Sequence, residues 1–261
     1  MNKREGADAP SFDYSRPGVR MDVRASRGRV HRLSAVRFGD EFVYLASDTE
    51  LAPYLWGYFH VNILHLATQV DCCPIQTGRI ADELGIRHPL DRDKGQSMIS
   101  TDIVATFMMD DGERIHAINV KPPTFNAEQS RFRRLCSIEA RYHHERGAGW
   151  FLSRSRGLNT NWSRNLWWLH PTAEAFYRSG FTQREEEIQA VFLKRLASPR
   201  GAATIRDICR YMHETGAARA GEPVRAYRQL LATRKIWTDM NVADLTAASP
   251  YALSVKRRGA K

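Results

Sequence analysis

Asp102 and Lys121 lie near the two ends of one strand–turn–strand segment, STDIVATFMMDDGERIHAINVK, residues 100–121. A carboxylate can hold a divalent cation, and an ammonium can face a phosphate or a nucleophilic water. The backbone carbonyl of Val120 offers one more hard oxygen. Together these groups describe a metal and phosphate site. The alternative reading is a cross-strand salt bridge at a sheet edge, worth at most about 1 kcal/mol if exposed. A carboxylate ahead of a strand that ends in polar-x-Lys is also the working core of many metal-dependent nucleases. Their usual acid at the polar position is Asn119 in this chain.

The elements around these residues decide whether they can meet. Asp111-Gly112 predicts a type I′ hairpin turn, because Gly adopts positive φ freely. Asp110 and Glu113 then close the turn, Asp102 falls opposite Lys121, and Asn119 falls opposite Val104 on the same face. Upstream, GRVHRLS and DEFVYLAS read as two short strands around Phe38-Gly39-Asp40. SDTELAPYLWGYFHVNILHLA reads as a helix, started by a Ser47-x-x-Glu50 capping box. Glu50 is thus a helix cap worth about 1 kcal/mol or a second acid for the site. TGRIADELGI, inside a polar insertion, predicts a short helix. Downstream, NAEQSRFRRLCSIEARYHHERG predicts a helix capped by Asn126 and closed at Gly147, and GWFLS a strand. The texture changes after NTNWSRNLWWLHPTAEAF. Three helical stretches, TQREEEIQAVFLKRLAS, TIRDICRYMHETG and EPVRAYRQLLATRK, precede two short strands, IWTDMN and PYALSVK. Helices followed by a β-hairpin are the order of a winged helix-turn-helix.

Composition narrows the class. The chain has 261 residues and 43% hydrophobic content, enough for a packed core in one or two domains. Its net charge of +10 implies a salt-sensitive attraction to nucleic acid. No apolar run approaches the roughly 20 residues of a membrane span, and the N-terminus lacks the apolar centre of a signal peptide. A cytoplasmic protein with no membrane partner is expected. Cys72, Cys73, Cys136 and Cys209 form no CxxC and read as reduced thiols, and no His pair is spaced as a helical metal face. Any metal would therefore be oxygen-bound Mg²⁺, or Mn²⁺ in its place.

SDTELA, GIRHP, STDIVA, INVKP and IEARYHHERGAGW occur in that order. As a set, over about residues 26–155, they resemble the TnsA family, the endonuclease subunit of heteromeric bacterial transposases. The resemblance implies an α/β fold in which a restriction-endonuclease-like core, a mixed sheet flanked by helices, precedes an α-helical winged-helix domain. It places the family's catalytic acids on Glu50 and Asp102, its lysine on Lys121, and a further glutamate on Glu139. The family's usual Gln two residues before the lysine is replaced by the shorter Asn119. Metal would be held by Glu50, Asp102 and the Val120 carbonyl. The implied activity is Mg²⁺-dependent cleavage of double-stranded DNA at the 5′ ends of a transposon. The implied partners are a DDE-type transposase that cuts the 3′ ends and an AAA+ ATPase regulator, in a bacterial cytoplasm and on the nucleoid when acting.

The expected organisation is a basic arm over residues 1–25, a catalytic domain over 26–170 and a winged-helix-like domain over 171–261. Arg131, Arg133 and Arg134 line a DNA path or a solvated helix face, and Arg225 and Arg228 meet phosphates if their helix is a recognition helix. The tail KRRGAK is a candidate ATPase contact. Two other functions fit the same residues: an independent restriction or repair nuclease, and a non-catalytic winged-helix assembly subunit that binds DNA.

Overall fold

The computed structural model describes residues 29–90, 95–199 and 201–255. The N-terminal arm and the KRRGAK tail lie outside these described residues. Contacts divide the chain into two compact units, one holding Val43–Ser155 and the other Leu33–Phe42 with the residues from Arg156 onwards. First in chain order, β1 (His31–Ala35) and β2 (Asp40–Leu45) form a two-stranded sheet around a single 3-10 turn at Val36–Phe38, which Gly39 closes at φ 86°.

The first unit is built on four strands: β3 (Ile63–Cys72), β4 (Ile99–Met109), β5 (Gly112–Lys121) and β6 (Gly149–Arg154), adjacent in that order. β3, β4 and β5 run antiparallel, and β6 joins β5 in parallel after the crossover helix α3 (Ser130–His144). The sheet is mixed and flanked by helices. α1 (Asp48–Tyr58) buries Leu51, Tyr54, Leu55 and Tyr58, the i, i+3, i+4, i+7 stripe of an amphipathic helix. A Cβ on Gly57 would come within 3.1 Å of Leu66, so α1 lies close against β3. α2 (Pro74–Glu83) and α3 share a core of Cys72, Ile80, Ala81, Ile99, Ile138 and Tyr142. A second cluster joins Ala67, Val70, Val104 and Ala117 across three strands.

Three expectations are corrected here. The apolar run after Ser47 is not one helix: it stops at Tyr58, and Ile63–Cys72 becomes β3. A short apolar run fits both periods, and the β-branched residues of ILHLATQVDC decide for strand once both faces are covered. Asn126 does not cap α3. Its Oδ1 accepts the Glu128 N–H in a local turn, and the helix starts at Ser130. The hairpin turn is Asp110-Asp111, with Met109 and Gly112 as the closing pair, so Val104 faces Ala117. Neither aspartate has positive φ, whereas Gly112 sits at φ 119°. The glycine serves just after the turn, the place of a G1 bulge, and this moves the pairing by two residues while preserving the faces.

In the second unit, α4 (Asn161–Ser179) runs through residue 170, where the sequence suggested a boundary. α5 (Gln183–Ala197) and α6 (Ile205–Glu214) begin with full capping boxes, Thr182 with Glu185 and Thr204 with Asp207. α7 (Glu222–Ala232) follows, and then β7 (Ile236–Trp237) pairs antiparallel with β8 (Ser254–Val255). Phe192 and Tyr227 stack inside it, rings 5.7 Å apart. Among the described residues no helix is long and apolar enough to cross a membrane.

Candidate active site

The acids converge where the sheet departs from regularity. The β3–β4 register passes from Thr68↔Ile103 to Val70↔Thr101, leaving Gln69 and Asp102 out of the ladder. The β4–β5 ladder likewise ends at Ile103↔Ile118. Asp102 uses its side chain where a backbone carbonyl would serve, its Oδ2 accepting the Val120 N–H at 2.6 Å. Lys121 Nζ donates to the same oxygen at 3.4 Å and to the Val120 carbonyl at 3.0 Å. The ammonium also lies 5.8 Å from the centre of the Phe132 ring. Asp102 and Lys121 therefore meet as the hairpin suggested, diagonally rather than directly opposite. The contact is not an exposed edge pair, since the Asp102 side chain is 15% accessible and that of Lys121 24%.

Glu50 reaches the site from the first turn of α1 and is buried. Its Oε2 accepts the Ala46 N–H at 2.7 Å and the Gln69 amide at 2.9 Å, and its Oε1 accepts the Ser47 hydroxyl at 3.0 Å. Ser47 in turn caps the Glu50 N–H. Burial, and then the negative charge of Asp102, push the Glu50 carboxyl up to about 7. Burial also raises Asp102, opposed first by the Lys121 charge and then by the Val120 N–H.

Glu139, from α3, and Asn119 form a buried pair, the Asn119 amide donating to Glu139 Oε2 at 3.0 Å. Thr101 donates to Glu139 Oε1 at 2.7 Å, and His143 Nε2 lies 2.7 Å from the Thr101 hydroxyl. Burial raises the Glu139 carboxyl, while burial and Arg146 lower His143 to about 4. Both Glu139 oxygens are thus taken by sheet side chains. Asn119 Oδ1 is buried with no hydrogen-bond partner.

Among the described residues no group of three or more His, Cys, Asp and Glu side chains gathers to hold a metal. The donor set still fits a hard cation. Glu50 and Asp102 are both desolvated and the charge of Asp102 still raises Glu50 despite Lys121, so a cation between them would relieve both. Mg²⁺ needs only one or two carboxylates, the rest of its shell being water and substrate phosphate. The Val120 carbonyl, bonded to Lys121, keeps a second lone pair for such a cation.

The arginines divide. Arg131 and Arg134 are exposed on α3 and line a groove of about 420 Å³ with Arg87, His88 and Leu135, whereas Arg133 pairs with Glu128 at 3.5 Å. In the second unit Arg225 is exposed on α7. Arg228 is half-buried, donates to the Trp168 carbonyl and stacks over its indole at 4.9 Å. Sequence reasoning missed Gln69, Thr101 and His143. Thr101 stands next to Asp102 in the motif, but Gln69 was hidden inside a segment read as polar insertion.

A mixed sheet flanked by helices, followed by a helical unit, makes this an α/β protein, consistent with an endonuclease-like fold. Residues 158–240 match the family model described as TnsA endonuclease C terminal. The chain is also 27% identical over 222 residues to the transposon Tn7 transposition protein TnsA of Escherichia coli, covering 83% of this chain and 76% of that one. These two matches support an assignment to the TnsA family.

Proposed function

We propose that this protein is the endonuclease subunit of a heteromeric cut-and-paste transposase, cutting double-stranded DNA at the 5′ ends of its transposon with Mg²⁺, or Mn²⁺ as substitute. The pairing of buried Glu50 with half-buried Asp102, and Lys121 alongside, carries this reading. Its lysine and acids occupy the positions that the family resemblance gives to catalysis.

Glu50 and Asp102 hold the cation, and Val120 offers its carbonyl. A bound Mg²⁺ supplies an activated water and offsets charge on the scissile phosphate. Lys121, beside Asp102, would offer its ammonium to the oxygen on which charge develops. Asn119 and Glu139 support the strand end from which Lys121 projects. Arg131 and Arg134, with Arg87, attract the DNA backbone along α3. The second unit, with helices preceding a pair of two-residue strands, serves as a winged-helix-like module. There Arg225 is open to a phosphate, and Arg228 instead secures α7 to α4. The partners are a DDE-type transposase for the 3′ ends and an AAA+ ATPase regulator.

Calorimetric titration of Mg²⁺ and Mn²⁺ into the wild type and Asp102→Ala tests the site. Loss of heat in the variant is expected, as is loss of 5′-end cleavage when it is assembled with the partner transposase. Equal heats in both proteins would return Asp102 and Lys121 to a salt bridge and favour a non-catalytic assembly subunit. Robust cutting of naked DNA by the lone protein would favour an independent nuclease.

A further inference from the structure

Gln69 stands mid-strand in β3 with φ 51°, in the left-handed region. Among the described residues only Arg234 shares this feature outside glycine. A side chain with a Cβ is held there only when its surroundings fix it, and such strain gathers at functional sites. Two further observations point the same way. The ladder skips Gln69 and Asp102 together, so the left-handed residue faces the place where the strand neighbour leaves its backbone pairing. The Gln69 amide then donates to Glu50 Oε2 at 2.9 Å, beside the Ala46 N–H on that oxygen.

Without Gln69, Glu50 would be held only by groups of its own helix start, Ser47 and Ala46. Those contacts suit a cap and pull the carboxylate back along the chain. Gln69 is the bond from the sheet, and it ties the acid on α1 to the row that carries Asp102. We propose that Gln69 is the positioning residue for Glu50, its strained backbone conformation aiming a side-chain amide that fixes the carboxylate in its metal-holding orientation. The inference rests on the reading of Glu50 and Asp102 as the metal-holding pair.

The test is Mn²⁺ calorimetry on the full chain, with melting curves in metal-free buffer. Gln69→Asn keeps an amide and tolerates the left-handed backbone, but falls one methylene short of Glu50. Its Mn²⁺ dissociation constant is expected to rise about tenfold or more, as when an outer partner of a ligand is lost, with an unchanged melting midpoint. Gln69→Gly frees the backbone and removes the donor. It should show the same loss and carries the test if the Asn variant folds poorly. Wild-type affinity in both variants, with binding lost in Asp102→Ala, would overturn the role of Gln69 and leave the metal site standing. Wild-type binding in Asp102→Ala, or no binding by the wild type, would overturn the metal reading and the inference with it.

Discussion

Glu50→Gln should make the metal-free protein more stable while removing its hold on metal. Burial and Asp102 lift the Glu50 carboxyl from 4.5 to about 7. At about 1.4 kcal/mol per pH unit, that gap is about 3 kcal/mol. Between pH 4.5 and 7 the folded chain keeps a proton that the unfolded chain has lost. Stability therefore falls as pH rises through this window, and the whole amount is missing above it. Glutamine has the shape of the protonated acid and no charge to desolvate. Its amide nitrogen must find a place near the Gln69 amide and Ser47 hydroxyl, which offsets part of the gain. The expected benefit at pH 8 in EDTA is about 1–3 kcal/mol, or roughly 3–10 °C in melting temperature for a chain of this size. At pH 5, where the wild-type group is already protonated when folded, the difference should shrink below about 1 kcal/mol. Paired thermal melts at the two pH values, with and without Mg²⁺, read all of this. Mg²⁺ should raise the midpoint of the wild type and leave that of the variant unmoved. A variant less stable than wild type at pH 8, or equally favoured at pH 5, would refute the claim that a strained acid pair waits there for a cation.

Lys121→Ala removes the ammonium beside Asp102 and should abolish 5′-end cleavage in the assembled complex, with the fold retained by circular dichroism; an active variant would remove Lys121 from the chemistry. Replacing Arg131 and Arg134 together by Ala should weaken DNA binding for all sequences and lower the slope of log affinity against log salt by about 2, read by fluorescence anisotropy across a salt series. His143 should act on stability in the opposite sense to Glu50. Burial and Arg146 hold it down near 4 from an ordinary 6.5, so its contribution, about 3 kcal/mol, is complete above 6.5 and lost as pH falls towards 4. Compared with wild type, His143→Gln should therefore lose less stability on acidification from pH 6.5 to 4.5, seen in urea unfolding across that range.

The hairpin was legible because alternation and an Asp-Gly pair both act over a few residues. Its register was not, because whether Gly112 lies inside a turn or just after it depends on which strand pairs the rest of the sheet accepts. The helices of the second unit were legible as three helical stretches, and two of these begin at Thr182 and Thr204, which the structure shows to be the caps. β3 was lost for a different reason. Its apolar residues continue the run of α1 with no glycine or proline between Tyr58 and Ile63 to mark the break. With β3 went Gln69, and with Gln69 the sheet's own hold on Glu50.

How the cap is made leaves room for both readings of Glu50, cap and proposed metal ligand. In a full capping box the glutamate reaches the N–H of the cap residue itself, as Glu185 does for Thr182. Glu50 instead reaches one residue further back, to Ala46, and shares that oxygen with Gln69. The motif that starts α1 is thus bent towards the sheet, at the cost of a regular cap. The same row gives up two ladder pairs, a regular φ at Gln69 and the hydration of two carboxylates. Local rules that hold along the rest of β3 and β4 fail together at Gln69 and Asp102. Such a concentration of departures is what a site looks like when its chemistry, rather than its packing, has set the residues.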